Sequence, residues 1–301
     1  MTKDFKEKLK IAREIEVDDQ YYAESYNENI YCGIQTDFVR MFCRGGGKEL
    51  LPKDGKKEKA ACIYSSSMLA YNFFHWISEN TPLVYDGITY DKVIFEEQFR
   101  VLKNRNNKAN IDVVLISKDN KTLLLLESKF TEHLKKGDVD ISSAYYDSDS
   151  YFTDDADARE WTEIMKYIND KNKDNYCEGL KQIACHLIGI SSVLKNDDAK
   201  NWFDANSWIH HIYGLEISSF DKIIFKSIVF HPSTKQESKL TEEYKELVES
   251  FFVEKINFLP EYIVCEKPFI SYRDIWKDGM EKSIKDKALA RYLENYLNVH
   301  K

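Results

Sequence analysis

Proline and glycine are scarce in this chain, with 5 Pro and 11 Gly among 301 residues. That scarcity excludes a collagen-like or low-complexity protein, and no Pro/Gly/Ser-rich stretch marks a linker. One globular domain over residues 1–301 is therefore expected, with its core over about 60–235 and N- and C-terminal extensions packed on it. Cysteine is thin as well. Cys32, Cys43, Cys62, Cys177, Cys185 and Cys265 show no CxxC spacing, which excludes a zinc set or a disulfide framework and suggests reduced, mostly buried thiols. No apolar run approaches the roughly 18 residues that suggest a membrane span, and Met1-Thr-Lys-Asp-Phe-Lys6 lacks the apolar core of a signal peptide. The expectation is a soluble, cytoplasmic protein. A basic excess is missing too: the net charge of −8 excludes a non-specific nucleic-acid coat protein. It leaves room for a nuclease, in which a metal ion neutralises phosphate locally.

What is present starts with a core-forming composition, 43% hydrophobic and 14% aromatic. The most informative stretch is Asn110 to Lys129. Residues 111–116 and 123–130 are β-branched or leucine-rich runs joined by Ser-Lys-Asp-Asn-Lys-Thr, whose Asp119 and Asn120 tolerate left-handed backbone angles. A β-hairpin centred on Asp119–Asn120 opposes residues whose numbers sum to 239, which sets Asp112 across from Glu127. Directly opposed side chains share a face, with Cβ atoms roughly 4.5–5.5 Å apart. Lys129, two residues beyond Glu127, joins that face while Ser128 points away. Two facing carboxylates repel, and in a mostly apolar sheet both also lose hydration, so the arrangement is costly unless a cation sits between them. Oxygen-only ligation suits Mg²⁺ rather than Zn²⁺, and Lys129 could then orient or deprotonate water or stabilise charge on a phosphate. The rival reading is an edge-strand ion pair facing solvent. Against it stands the run Leu123–Leu126, which marks a strand covered on both faces.

Around the hairpin the sequence predicts an amphipathic helix over 3–16, a loop-like basic stretch from Gly33 to Lys59, and an apolar helix over 64–79 capped by Ser65–Ser67. A strand follows over 91–102. The acidic, Tyr-rich residues 145–157 read as surface loops leading into a helix over 157–169. Helices over 175–195 and 240–256 and strands over 222–231 and 261–266 come next, and helices dominate after 270. Strands among helices indicate a mixed α/β core. Two basic clusters flank the hairpin in sequence. One, with Arg40, Arg44, Lys48, Lys53, Lys56, Lys57 and Lys59, surrounds Gly45–Gly47; the other is Lys103, Arg105 and Lys108. Each is a solvated loop or a set of phosphate contacts. Gln182 and His186 stand one turn apart on a helix, where a lone His is more often a core residue than an active one.

The order of helix, strand, Asp112 hairpin, Glu127-Ser-Lys129 and polar-faced helix resembles the PD-(D/E)xK nuclease superfamily, with its restriction-endonuclease-like fold. Over residues 40–235, Ser65-Ser-Ser-Met-Leu-Ala-Tyr-Asn72, Phe95-Glu96, Ile111-Asp112, Glu127-Ser-Lys-Phe-Thr-Glu132 and Gln182-Ile-Ala-Cys-His186 are similar to a bacterial group of such proteins. Ile111 stands where the motif's Pro would be, a frequent variation. The resemblance implies a mixed central sheet flanked by helices, with helical N- and C-terminal elaborations. It also implies Mg²⁺, with Mn²⁺ as substitute, held by Asp112, Glu127 and the Ser128 carbonyl, and Lys129 handling the attacking water. Glu96 is the expected extra acidic residue, with Glu97 and Glu79 as rivals. Gln182 approaches the site from its helix, and His186 touches a phosphate. The activity implied is DNA phosphodiester hydrolysis in restriction or phage defence, by a homodimer if both strands are cut. The alternatives are an inactive nucleic-acid- or protein-binding module on the same fold, or a partner-binding protein that uses the acidic segment.

Overall fold

The computed structural model describes residues 3–299 apart from 46–47, 54, 135–136, 138, 172–176 and 231–234, so Gly46 and Gly47 of the predicted basic loop lie outside the described residues. The hairpin forms in the expected register. Lys108–Ser117 and Thr122–Lys129 pair antiparallel from Ile116↔Leu123 to Val113↔Leu126. Asn120 takes φ 57°, and Ser117 Oγ closes the turn by accepting the Thr122 N–H at 2.8 Å.

In chain order the helices and strands are α1 (Lys3–Arg13), α2 (Thr36–Arg44), α3 (Ser66–Phe74), β1 (Leu83–Tyr85), β2 (Ile88–Arg100), β3 (Lys108–Ser117) and β4 (Thr122–Lys129). Then come α4 (Asp155–Asp170), α5 (Cys177–Lys195), α6 (Asp197–Asp204), α7 (Trp208–Tyr213), β5 (Lys222–Val229), α8 (Lys235–Lys255), β6 (Ile263–Val264), β7 (Phe269–Ser271), α9 (Tyr272–Ile275), α10 (Glu281–Ser283) and α11 (Lys287–Leu297). The sheet runs β1-β2-β3-β4-β5-β6, and β7 also pairs with β5. The β1–β4 pairs are antiparallel, and β5 joins β4 in parallel from Thr122↔Lys222 to Lys129↔Val229. This is the mixed α/β sheet anticipated. All of β4 is buried, as the leucine run implied, because a strand in a parallel joint is covered on both faces.

Helices seal the sheet through close contacts. Phe38 and Phe42 of α2 and Tyr71 of α3 pack on Phe95 with ring centroids 5.0, 5.4 and 5.6 Å away. On α5, a Cβ added to Gly189 would stand 2.6 Å from the Cβ of Phe99, so only glycine lets that helix settle on β2. The terminal helices meet through Arg13, which is buried, donates to the Tyr292 hydroxyl at 2.7 Å and lies 4.4 Å from the Tyr296 ring centroid.

Several expectations need correction. The stretch 33–59 is not all loop, because α2 lies within it. Its Phe38, Met41 and Phe42 are buried at helical spacing, a pattern masked by the surrounding lysines and arginines. The segment 145–157 is not merely surface, since Tyr145, Tyr151 and Phe152 are buried and α4 already begins at Asp155. Among the described cysteines only Cys62 is buried; Cys43, Cys185 and Cys265 are half-buried and Cys32 is exposed. The short strands β1 and β7 escaped the sequence reading, because three residues carry too little periodicity to register.

One packing contact gives a stability test. After α9 the chain makes a π-helical turn, Trp276–Met280, and a Cβ on Gly279 would fall 1.7 Å from the Val84 carbonyl oxygen of β1. Backbone cannot yield as a flexible side chain can, so Gly279→Ala should cost at least the ~1–3 kcal/mol typical of overpacking. Thermal unfolding should show a drop of several degrees or failure to fold; an unchanged midpoint would mean this contact is not made.

Candidate active site

Glu96, Asp112 and Glu127 stand in one row across three strands. Pairs of β2 with β3, Phe95↔Val113 and Glu97↔Ile111, sum to 208 and set Glu96 level with Asp112. Pairs of β3 with β4 sum to 239 and set Asp112 level with Glu127. At the row β2 is irregular. Glu96 adopts φ 54°, a left-handed angle uncommon for a residue with a Cβ, and the alternation of side chains slips there. Phe95 packs on α2 and α3, whereas Glu97 meets the start of α7 and Phe99 stacks on Phe203 of α6. The Glu96 carboxylate rests beneath Gly45, where an added Cβ would stand 2.5 Å from its Oε2.

The row lies in a cavity of about 670 Å³, which Lys129, Gln182 and His186 also line. Lys129 Nζ donates to Glu127 Oε1 at 2.5 Å. The Ser128 N–H donates to Asp112 Oδ2 at 2.7 Å, while Ser128 Oγ turns the other way to the Tyr272 hydroxyl, 2.7 Å off. Glu127 Oε2 sits 2.8 Å from His186 Nε2 but outside hydrogen-bonding alignment, so among the described residues both atoms are left without a hydrogen-bond partner. The contact is electrostatic proximity, not a formed hydrogen bond.

Burial and mutual repulsion drive the acid–base state of the row. Burial raises Glu96 to about 8, with the charges of Glu49 and Glu127 pushing the same way. Asp112 is raised well above the carboxylate range by burial and then by Glu127 and Glu96. Glu127 goes the other way. Burial would raise it too, but Lys129 and His186 outweigh that and hold it at about 2. Lys129 would lose its proton more readily through burial alone, yet Glu127 and Asp112 keep it above the ordinary lysine value. The site thus keeps one fixed carboxylate–ammonium pair and two carboxyls that resist ionising. No group of three or more His, Cys, Asp or Glu among the described residues is already placed to hold a metal ion. The donors on offer are carboxylate oxygens, with Glu127 Oε2 facing His186 but making no aligned hydrogen bond.

The cavity gathers Asp112, Glu127, Ser128, Lys129, Glu96, Gln182, His186 and Lys108. The other predicted contacts lie elsewhere. Arg44 is exposed and donates to Asn206 Oδ1 at 2.6 Å, Lys48 is exposed with φ 49°, and Lys103 and Arg105 sit on the exposed loop before β3. Of the rivals to Glu96, Glu79 is exposed and lines a separate hollow with His75 and Asp91. Glu97 is spent on structure: its Oε2 accepts the Trp208 and Ile209 N–H groups at 3.0 and 3.1 Å, capping α7. The sequence reading missed Glu49 and Lys181, which also line the cavity, as does Lys59 of the first basic cluster. Lys59 donates to Glu49 at 3.4 Å, and burial raises the Glu49 carboxyl against that ion pair. Lys181 had a legible signal. Glu178, Lys181, Gln182, Cys185 and His186 recur at three- and four-residue steps and mark the cavity-facing stripe of α5. Glu49 had none, lying within a stretch read for its basic residues alone.

A mixed sheet with helices around it and an acidic row at the end of its central hairpin defines an α/β protein with a restriction-endonuclease-like core. The chain belongs to the family described as restriction endonuclease associating with ARP, whose model matches residues 2–296. No curated protein and no solved structure matches it. Among the described residues no helix is long and apolar enough to cross a membrane.

The raised carboxyls predict a pH-dependent stability. A carboxyl whose folded pKa exceeds its unfolded value stabilises the fold fully below the unfolded pKa and loses that contribution as pH climbs through the folded one. For Glu96 the window runs from 4.5 to about 8; Glu127, held at about 2, loses its share only in acid. Without added metal, the melting temperature should therefore fall between pH 5 and pH 8.5. Glu96→Gln should flatten that fall and raise the melting temperature at pH 8.5 by several degrees. A parallel pH profile for the variant would show that Glu96 is not a strained, buried acid.

Proposed function

We propose that this protein is a Mg²⁺-dependent nuclease of the PD-(D/E)xK type that hydrolyses DNA phosphodiester bonds. The observation that carries the reading is the level row Glu96–Asp112–Glu127 with Lys129 paired to its last member. Repelling carboxyls in a low-dielectric cavity are the environment a hard cation relieves. Mg²⁺ needs only one or two protein carboxylates because it keeps several waters, so a preformed cage is not required. Asp112 and Glu127 Oε2 would hold it, with the Ser128 carbonyl and Glu96 completing the set and Mn²⁺ able to substitute. When bound, the ion would supply Lewis-acid stabilisation of charge on the phosphate oxygens.

The chain's own residues do the rest. Lys129, kept cationic by Glu127 and Asp112, holds water at the phosphate and offsets negative charge as it develops. His186, against Glu127 on one side, fixes that carboxylate and faces the cavity where a phosphate would rest. Gln182, one helical turn earlier, offers an amide to substrate oxygens. Lys108 and Lys181 at the cavity wall bring positive charge to a protein that is otherwise acidic. Cutting both strands would need two copies, hence a homodimer, and restriction or phage defence in the cytoplasm is the fitting context. The family's description adds association with ARP, which we carry to this chain as a partner of the nuclease.

A second reading, a binding module without turnover, draws on one observation: Ser128 and Lys129 already occupy oxygens of Asp112 and Glu127. Cleavage of plasmid and single-stranded DNA with Mg²⁺ separates the two. Wild type should cut, while Asp112→Ala and Lys129→Ala should each fall by the ~10²–10⁴-fold typical of losing a positioned catalytic group. Calorimetry should register Mg²⁺ or Mn²⁺ binding that Asp112→Ala abolishes. Equal nicking by wild type and both variants would overturn the nuclease reading.

A further inference from the structure

Beside the cavity two tryptophans stand under cations. Arg44 lies over Trp208 with its guanidinium 5.4 Å from the ring centroid, and Lys108 Nζ lies 5.4 Å over Trp202. The two pairs form one continuous structure. Asn206, between the tryptophans in sequence, accepts from Arg44 at 2.6 Å. The Arg44 carbonyl accepts from Gln98 Nε2 at 3.1 Å, and Gln98 Oε1 accepts from Lys108 Nζ at 3.2 Å. Glu97 fixes the far end by accepting the Trp208 N–H. Lys108 also lines the cavity of the acidic row, so the ridge runs from the reacting centre outward. Both indoles are half-buried and both cations exposed.

We infer that this ridge receives unpaired nucleotides, so that DNA with a single-stranded segment at the cut is preferred over uninterrupted duplex. The inference rests on the nuclease reading of the cavity and specifies its substrate class. Three features carry it. Half-buried indoles covered by exposed, movable cations become a stacking platform when a base displaces the cation, and such a platform binds single strands without sequence preference because every base offers a π-face. A cavity of about 670 Å³ is the size of one small-ligand site, enough for a nucleotide. At its floor the Glu127 and Lys129 side chains are only 5% and 8% exposed, so a phosphate must be drawn down to reach them. A flexible single strand bends that far, whereas a stiff duplex must deform at a cost in energy. Stacking on the ridge would hold bases outside while one phosphate enters.

The test measures binding without cleavage, in EDTA, using a thymine 20-mer and a 20-base-pair duplex at equal phosphate concentration. Fluorescence anisotropy gives affinity, and the protein's tryptophan emission reports stacking. Wild type should bind the single strand at least tenfold more tightly than duplex, with quenching of tryptophan emission. Trp202→Leu and Trp208→Leu should each weaken single-strand binding about tenfold and leave duplex binding unchanged; the Phe variants should keep most of the affinity, which also controls for folding. Arg44→Gln, at an exposed site that cannot unfold the core, should lower the salt dependence of single-strand binding and leave that of duplex binding unchanged. Equal affinity for the two substrates in wild type, or equal losses for both in the Leu variants, would overturn the inference. A single-strand preference in a protein that never cuts would retain the ridge and discard the nuclease reading.

Discussion

Keeping three carboxyls level in the interior of a sheet is the constraint on which the other features depend. Glu96, Asp112 and Glu127 approach one another where water cannot screen them, so ionising one raises the cost of ionising the next. Lys129 resolves only part of the conflict, by pairing with Glu127. Ser128 resolves another part through its backbone N–H on Asp112. Glu96 and Asp112 both stay raised, and Glu96 is the one held at a left-handed backbone angle. Strain and electrostatic frustration thus meet at one residue in an otherwise well-packed strand.

The fold supplies the stiffness this arrangement needs. β4 is buried along its length and clamped between β3 and β5, so Glu127 and Lys129 cannot retreat from each other or swing into solvent. Gly45 and Gly189 let α2's end and α5 come close enough to wall the row from two directions. Without those approaches Glu96 would gain water and His186 would stand back from Glu127.

Neighbouring acidic residues in this chain divide their work by direction. Glu96 enters the cavity while Glu97 caps α7. The slip in alternation at Glu96 separates the pair and at the same time turns Phe95 to α2 and α3 and Phe99 to α6. A single irregular residue thus serves the site, the packing of both neighbouring layers and the helix that carries Trp208. Restriction-endonuclease-family membership accords with this concentration of constraint at one end of the sheet.

The amino-acid sequence by itself determined the hairpin and its register, because a short four-residue connection and period-two alternation leave little freedom. From that followed the level placement of Asp112 and Glu127, the shared face of Lys129 and the burial of the leucine run. It also carried the long helices, whose spacing is repeated often enough to read. Tertiary structure alone decided what each polar residue meets. Nothing local distinguishes Glu96 from Glu97, and the choice between cavity and helix cap was made by a backbone irregularity and by a helix that begins about 110 residues later. Helix α2, hidden among lysines and arginines, became visible only when Phe38 and Phe42 found Phe95. Glu49 and Lys59 joined the site for the same reason: contacts between distant segments are set by the summed packing of the whole core, which no short window of sequence records.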